Sequence, residues 1–209
     1  SLLIMACAFV MLYLAGCSSI HLLGIITAGL GVLPLILKEY QRERLMVFLN
    51  PEIDPQGSGY NILQSLTAIG SGGVFGQGLF QGAMTQNGFV PENQTDFIIT
   101  VLGEELGLVA AIGLLALFLL LFISLTRILI HCDDPFGALL VVGFLTMLAF
   151  QVFVNIAMTV GLMPVVGLPL PLVSYGGSAM ITNFAALGIV GSVARIPRKP
   201  EFARHILEF

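Results

Sequence analysis

Residues 106–126, LGLVAAIGLLALFLLLFISLT, decide the fold. The run holds no charged side chain, and at 1.5 Å per residue a helix of this length reaches about 30 Å, the thickness of a bilayer's hydrocarbon core. It is apolar all round, so it has no polar face to turn toward water. The expected outcome is a transmembrane helix, extended to residues 97–130.

Outward from this run the chain keeps the same character. Of 209 residues, 57% are hydrophobic and 10% charged, against about 25% charged in soluble domains. Four more apolar stretches read as membrane helices: 2–15, 22–37, 136–158 and 179–194. The fold class is therefore all-α, a polytopic transmembrane bundle of about five helices. Ser1 leads straight into an apolar run without a signal peptide's basic start or cleavage site, which reads as a helix entered part-way in a longer chain. The organisation expected is two membrane helices over 1–37, a polar region over 38–96, three membrane helices over 97–194 and a tail over 195–209. Cys7, Cys17 and Cys132 are odd in number and form no CxxC pair, so they are expected as small apolar fillers.

The 38–96 region is rich in Gly, Gln, Asn and Pro and too polar to cross lipid as one helix. Residues 60–69 suggest a short helix ended by Gly70, followed by GSGGVFGQGLFQG. A second irregular stretch, GLMPVVGLPLPLVSYGGS, occupies 161–178. Irregular backbone near a bilayer must lie at its surface or line a cavity. The tail carries Arg195, Arg198, Lys199 and Arg204 against two acids, so the positive-inside rule places it in the cytoplasm. Counting back, 161–178 and 38–96 fall outside and the CDDP turn inside. Lys38, Arg42 and Arg44 then also fall outside, against the rule and only partly offset by Glu39 and Glu43.

With no basic stripe and a net charge of −4, nucleic acid is not an expected partner. No Lys, Arg or His occurs between Leu45 and Thr126, so the glycine-rich stretch lacks the GK[ST] of a phosphate loop and reads as turns and close packing. The window 45–105 holds six carboxylates: Glu52, Asp54, Glu92, Asp96, Glu104 and Glu105. Glu52 and Asp54 read as solvated turn residues. Asp96 is expected at or in the first turn of the longest helix, at the membrane's edge, where an acid is either a cap or functional. Thr100, Gly103 and Gly107 follow within about 40° of it around the axis, a small-residue stripe suited to a neighbouring helix or a substrate chain. Glu104 and Glu105 need a partner or water if buried. Arg42 and Arg44 either snorkel at a helix end or grip phosphate. SYGGS lacks the GxSxG elbow, so Ser174 reads as part of a tight loop or a cavity wall.

YQRERLMVFLNPEIDPQGSGYNILQSLTAIGSGGVFGQG, PENQTDFIITVLGEELGL and NIAMTVGLMPVVGLPLPLVSYGGS resemble the SEDS family (shape, elongation, division and sporulation), more its rod-shape branch, RodA, than its division branch, FtsW. The resemblance covers nearly everything from Leu37 to Arg198. It implies a fold of about ten membrane helices, of which this sequence would supply the C-terminal half and need the rest to act. It further implies a peptidoglycan glycosyltransferase in the bacterial cytoplasmic membrane. Such an enzyme polymerises lipid II at the outer face, among membrane lipids, beside a class B penicillin-binding protein. Asp96 matches the family's essential aspartate and is the expected catalytic base. The matching strings also nominate Arg42, Arg44, Gln94, Thr95, Glu104, Ser174, Tyr175 and Ser178 as substrate-binding, with Arg42 and Arg44 at the pyrophosphate. The carboxylate surplus leaves room for a divalent cation, Mg or Mn. The alternatives are a lipid II flippase, or a scaffold that recruits the penicillin-binding protein without catalysis.

Overall fold

The computed structural model describes residues 2–36, 39–50, 54 and 57–195. Leu37, Lys38, Glu52 and the tail from residue 196, with its Arg198, Lys199 and Arg204, lie outside them. Among the described residues the regular elements are all helices: α1 (Leu2–Leu14), α2 (Ser19–Ile36), α3 (Glu39–Leu49), α4 (Ser58–Gly72), α5 (Ala83–Gln86), α6 (Ile98–Ile130), α7 (Pro135–Thr159) and α8 (Gly177–Val193). Helices α6 and α7 are long and apolar enough to cross a membrane, while α1 and α8 are shorter apolar helices. Along α6, Leu108, Val109, Ile112, Leu115, Leu117 and Leu120 stand exposed. In water such a row would be an aggregation surface; in lipid it is the solvent contact, and the chain is a membrane helical bundle.

The described residues fall into two compact units. One draws on Ser1–Val32, Phe118–Phe150 and Gly177–Phe209. Its core packs Leu125, Val141, Phe144 and Leu148 with Val190 and Val193 of α8. The CDDP turn starts α7 there: Pro135 occupies the first helical position, where its missing N–H costs nothing, and Asp134 Oδ2 accepts the Gly137 amide at 2.7 Å. Cys132 is buried, Cys7 and Cys17 half-buried, and all three are free thiols.

The other unit draws on Leu33–Leu117 and Gln151–Gly176. Two sequence expectations change here. Helix α4 runs to Gly72 and ends at Gly73, whose φ is +56°, so Gly70 lies within it. Gly72 lies where a side chain would strike the Gly103 carbonyl and the Glu104 backbone; of the small-residue stripe of α6, Thr100 and Gly103 thus face a neighbouring helix, α4, while Gly107 faces the glycine-rich stretch after it. The second change is in α6, which is not continuous. Gly107 breaks it with φ +75° and ψ −170°, a conformation open in practice to glycine alone. The glycine-rich stretch fills the break. Leu108 and Val109 donate their amides to Gly73 and Val74 (3.0 and 3.2 Å), while Gln77 and Gly78 donate theirs to Glu104 and Glu105 (2.9 Å each). The helix breaks there because this loop supplies the backbone bonds it forgoes.

Candidate active site

Asp96 lies in a turn just before α6 rather than inside the helix. Glu92, at φ +53°, gathers this turn: its carbonyl accepts the amides of Thr95, Asp96 and Phe97 at 3.1–3.2 Å. Thr95 Oγ1 donates to the Glu92 carboxylate at 2.9 Å. Below, Phe97 is buried with Ala68 and Val90, and Met84 and Val165 pack against them. The turn therefore has an apolar floor and a polar rim.

Three contacts fix the main chain of the turn from a distance in sequence. Asn155 Nδ2 on α7 donates to the Asp96 carbonyl at 2.8 Å. Ser174 Oγ donates to the Thr95 carbonyl at 2.5 Å and accepts the Leu170 amide at 2.9 Å. The Tyr175 amide donates to the Gln94 carbonyl at 2.9 Å.

The Asp96 carboxylate lies over Gly167, where an added Cβ would be 3.3 Å from Oδ2. Beside Gly167, the Val165 carbonyl accepts Arg44 Nη1 from α3 at 3.0 Å. Burial pushes the Asp96 carboxyl above its ordinary value, the Glu92 carboxylate pushes the same way, and the Arg44 guanidinium pulls it back. The result is a carboxyl that holds its proton more readily than a free aspartate, with the Arg44 cation acting against that shift.

The other nominated residues separate by position. Arg42 is exposed on α3, about 200° around the axis from Arg44 at 100° per residue, so the two arginines point in different directions. Gln94 and Tyr175 are exposed and Thr95 is half-buried. Ser178 is exposed in α8, in the other unit. Glu104 is fully buried, its two oxygens accepting the Met84 and Thr85 amides at 2.7 and 2.9 Å. Glu105 accepts Gln86 Nε2 at 2.8 Å. Both acids find the partners they needed, in and around α5. Asp54 is half-buried. For a divalent cation, no three acidic, histidine or cysteine side chains converge among the described residues; Asp96 and Glu92 form a pair only.

A sequence profile of the cell cycle protein family FtsW/RodA/SpoVE matches residues 1–199. The chain belongs to the FtsW/RodA/SpoVE family. Its relatives include the peptidoglycan glycosyltransferase MrdB of Escherichia coli, 51% identical over 158 residues, 76% of this chain and 43% of MrdB. The peptidoglycan glycosyltransferase RodA of Treponema pallidum is 43% identical over 83% of this chain and 41% of its own. A probable peptidoglycan glycosyltransferase FtsW of Geobacter metallireducens is 42% identical over 90% and 50%. This chain thus spans half or less of these relatives' length. A solved structure, described as structural coordination of polymerization and crosslinking by a peptidoglycan synthase complex, superposes with a TM-score of 0.73 at 36% identity. It covers 93% of this chain and 54% of its own.

Some of what this FtsW/RodA/SpoVE chain brings to the turn was not nominated from sequence. Asn155 is an amide in the apolar run 136–158, a signal in itself, since polar groups in membrane helices are rarely idle. Glu92 stood among the six carboxylates of the 45–105 window without a role of its own, and Gly167 carried no comparable signal.

Proposed function

We propose that the protein carrying this chain polymerises lipid II into glycan strands at the outer face of the bacterial cytoplasmic membrane. The observation behind this reading is the Asp96 carboxylate, half-buried over Gly167 with its proton affinity raised and Arg44 nearby. The sugar 4-hydroxyl of an acceptor lipid II attacks the anomeric carbon of the growing chain. Asp96 takes the hydroxyl proton as the new glycosidic bond forms. The bond from the anomeric carbon to the pyrophosphate oxygen breaks, and undecaprenyl pyrophosphate departs with its electron pair. A carboxylate whose proton affinity is raised suits that transfer better than a strongly depressed one. Arg44 stabilises the departing charge with the remaining donors of its guanidinium. Arg42, on another side of α3, meets the substrate separately from Arg44. The exposed Gln94 and Tyr175 border the acceptor path. Ser174 and Glu104 hold the loops, with Thr95 keeping Glu92 in place. No step is assigned to Mg or Mn, for which the described residues bring only two carboxylates together.

In this reading five helices (α1, α2, α6, α7 and α8) span the membrane, the 38–96 and 161–178 segments lie outside, and the tail is cytoplasmic. The work is in elongation, as for RodA, beside a class B penicillin-binding protein that crosslinks the product. The solved relative's synthase complex supports that pairing.

The test uses the full-length protein in nanodiscs with purified lipid II. Asp96→Asn is expected to abolish polymer while the protein stays folded, and retained polymer in a folded Asp96→Asn would overturn the assignment. Leaflet exchange of labelled lipid II without polymer from the parent would select a flippase instead. Partner binding without either activity would select a scaffold.

A further inference from the structure

We infer that Asn155 is a positioning residue for Asp96, a role that rests on the function proposed above. Asn155 is fully buried on α7. Its Nδ2 donates twice at 2.8 Å, to the Asp96 carbonyl and to the Leu168 carbonyl. Leu168 follows Gly167, which underlies the Asp96 carboxylate, and Val165 of the same segment receives Arg44. One NH2 group therefore ties the turn bearing the acid to the strip of chain that underlies the acid and anchors the arginine.

The choice of amide is chemical. Two N–H donors on one atom can serve two carbonyls; a serine offers one, an aspartate none. The amide's orientation follows as well, because turning it over would set Oδ1 against two carbonyl oxygens. In the orientation adopted, Oδ1 is buried without a protein partner. An apolar residue would fill the place without that penalty, so the double donation accounts for the amide.

The seat of Asn155 is itself fixed. Its carbonyl accepts Thr159 Oγ1 at 2.7 Å. Ser65 Oγ on α4 donates to the Thr159 carbonyl at 2.9 Å and pairs with Thr100 Oγ1 on α6 at 2.6 Å. A buried hydrogen-bond chain thus runs from α4 and α6 through α7 to the main chain of Asp96.

The experiment compares Asn155→Ala and Asn155→Ser with Val154→Ala, a buried apolar neighbour on α7, in full-length protein with lipid II. Asn155→Ala is expected to lower kcat about 10- to 100-fold, the scale of ångström-level misplacement, with KM changed less than about twofold. Asn155→Ser, keeping one donor, should fall between. The acidic limb of the kcat–pH profile should move down as the turn loosens and Asp96 loses burial. Val154→Ala, scored at equal loss of thermal stability, should leave the limb in place. A folded Asn155→Ala with parental kcat and limb, or one matched by Val154→Ala in both, overturns the inference. Should Asn155→Ala not fold, the same comparison is read from Asn155→Ser. Asp96→Asn run in parallel separates the two claims: if it is dead while Asn155→Ala is fully active, only the positioning role falls. If Asp96→Asn is active, the function proposed for Asp96 falls and this role with it.

Discussion

Gly107→Ala is the sharpest perturbation of the frame that carries the site. A methyl there would press on the Gly76 backbone nitrogen and stand 2.5 Å from the Val74 carbonyl oxygen and 2.7 Å from the Phe75 carbonyl carbon. All three are backbone atoms, so no side chain can swing aside. If the seam between loop and helix holds, alanine must adopt φ +75°, at about 1–3 kcal/mol, and overpacking adds about 1–3 kcal/mol. If the seam opens, four inter-segment backbone hydrogen bonds go, each worth about 0.5–1.5 kcal/mol net. Both routes arrive at about 2–6 kcal/mol. Gly113, six residues on in the same helix, is the control: an added Cβ there meets nothing within 4 Å, and alanine should be neutral or stabilise by up to about 1 kcal/mol. Thermal melts of both variants in nanodiscs, with amide exchange followed at Leu108 and Val109, should show Gly107→Ala melting about 5 °C or more lower and exchanging faster at those amides. Equal melting and equal exchange in the two variants would refute the account of the break.

Three further outcomes follow from the site. As the proposed base, Asp96 must be deprotonated to act, so activity should rise with pH through its raised pKa. Glu92→Gln removes an influence that raises that pKa and should shift the acidic limb to lower pH; Arg44→Ala removes one that lowers it and should shift the limb higher, and a pH–rate series shows whether the signs oppose. Gly167→Ala places a methyl 3.3 Å from Asp96 Oδ2 at φ +73°, and should cost about 1–3 kcal/mol in melts and lower kcat in the lipid II assay. Glu104→Ala leaves the Met84 and Thr85 amides without their acceptor; a loss of about 2–5 kcal/mol is expected, with Glu104→Gln restoring part of it in the same melts.

The helices were legible because lipid demands long uncharged runs: 97–130 and 136–158 emerge as α6 and α7 with ends within about two residues. The break at Gly107 was not, since glycine inside an apolar run is compatible with either a helix or a gap. Only the loop docking beside it decides, and that contact joins residues some thirty positions apart. For the same reason Gly70 looked like a helix end while Gly73 is one. Within the site, Asp96 stood out as a carboxylate at a membrane boundary with no cation near in sequence. Its surroundings come from segments 50 to 80 residues away, Arg44, Asn155, Gly167 and Ser174, and no local pattern announces that kind of convergence. Arg42 and Arg44 illustrate the converse. Two arginines separated by a single residue look like one clamp, and helical geometry parts them.

The contacts that Asn155, Ser174 and the Tyr175 amide make with residues 94–96 all grip carbonyl oxygens. At residues 94–96 the scaffold therefore holds main chain, while Thr95, Asn93 and Phe97 add side-chain contacts of their own. The Asp96 side chain can change without removing any of these three grips, so its chemistry and the architecture beneath it are free to evolve on separate schedules. A lineage that lost its aspartate would keep these three grips on the turn and, on the function proposed for Asp96, would persist as an inert look-alike.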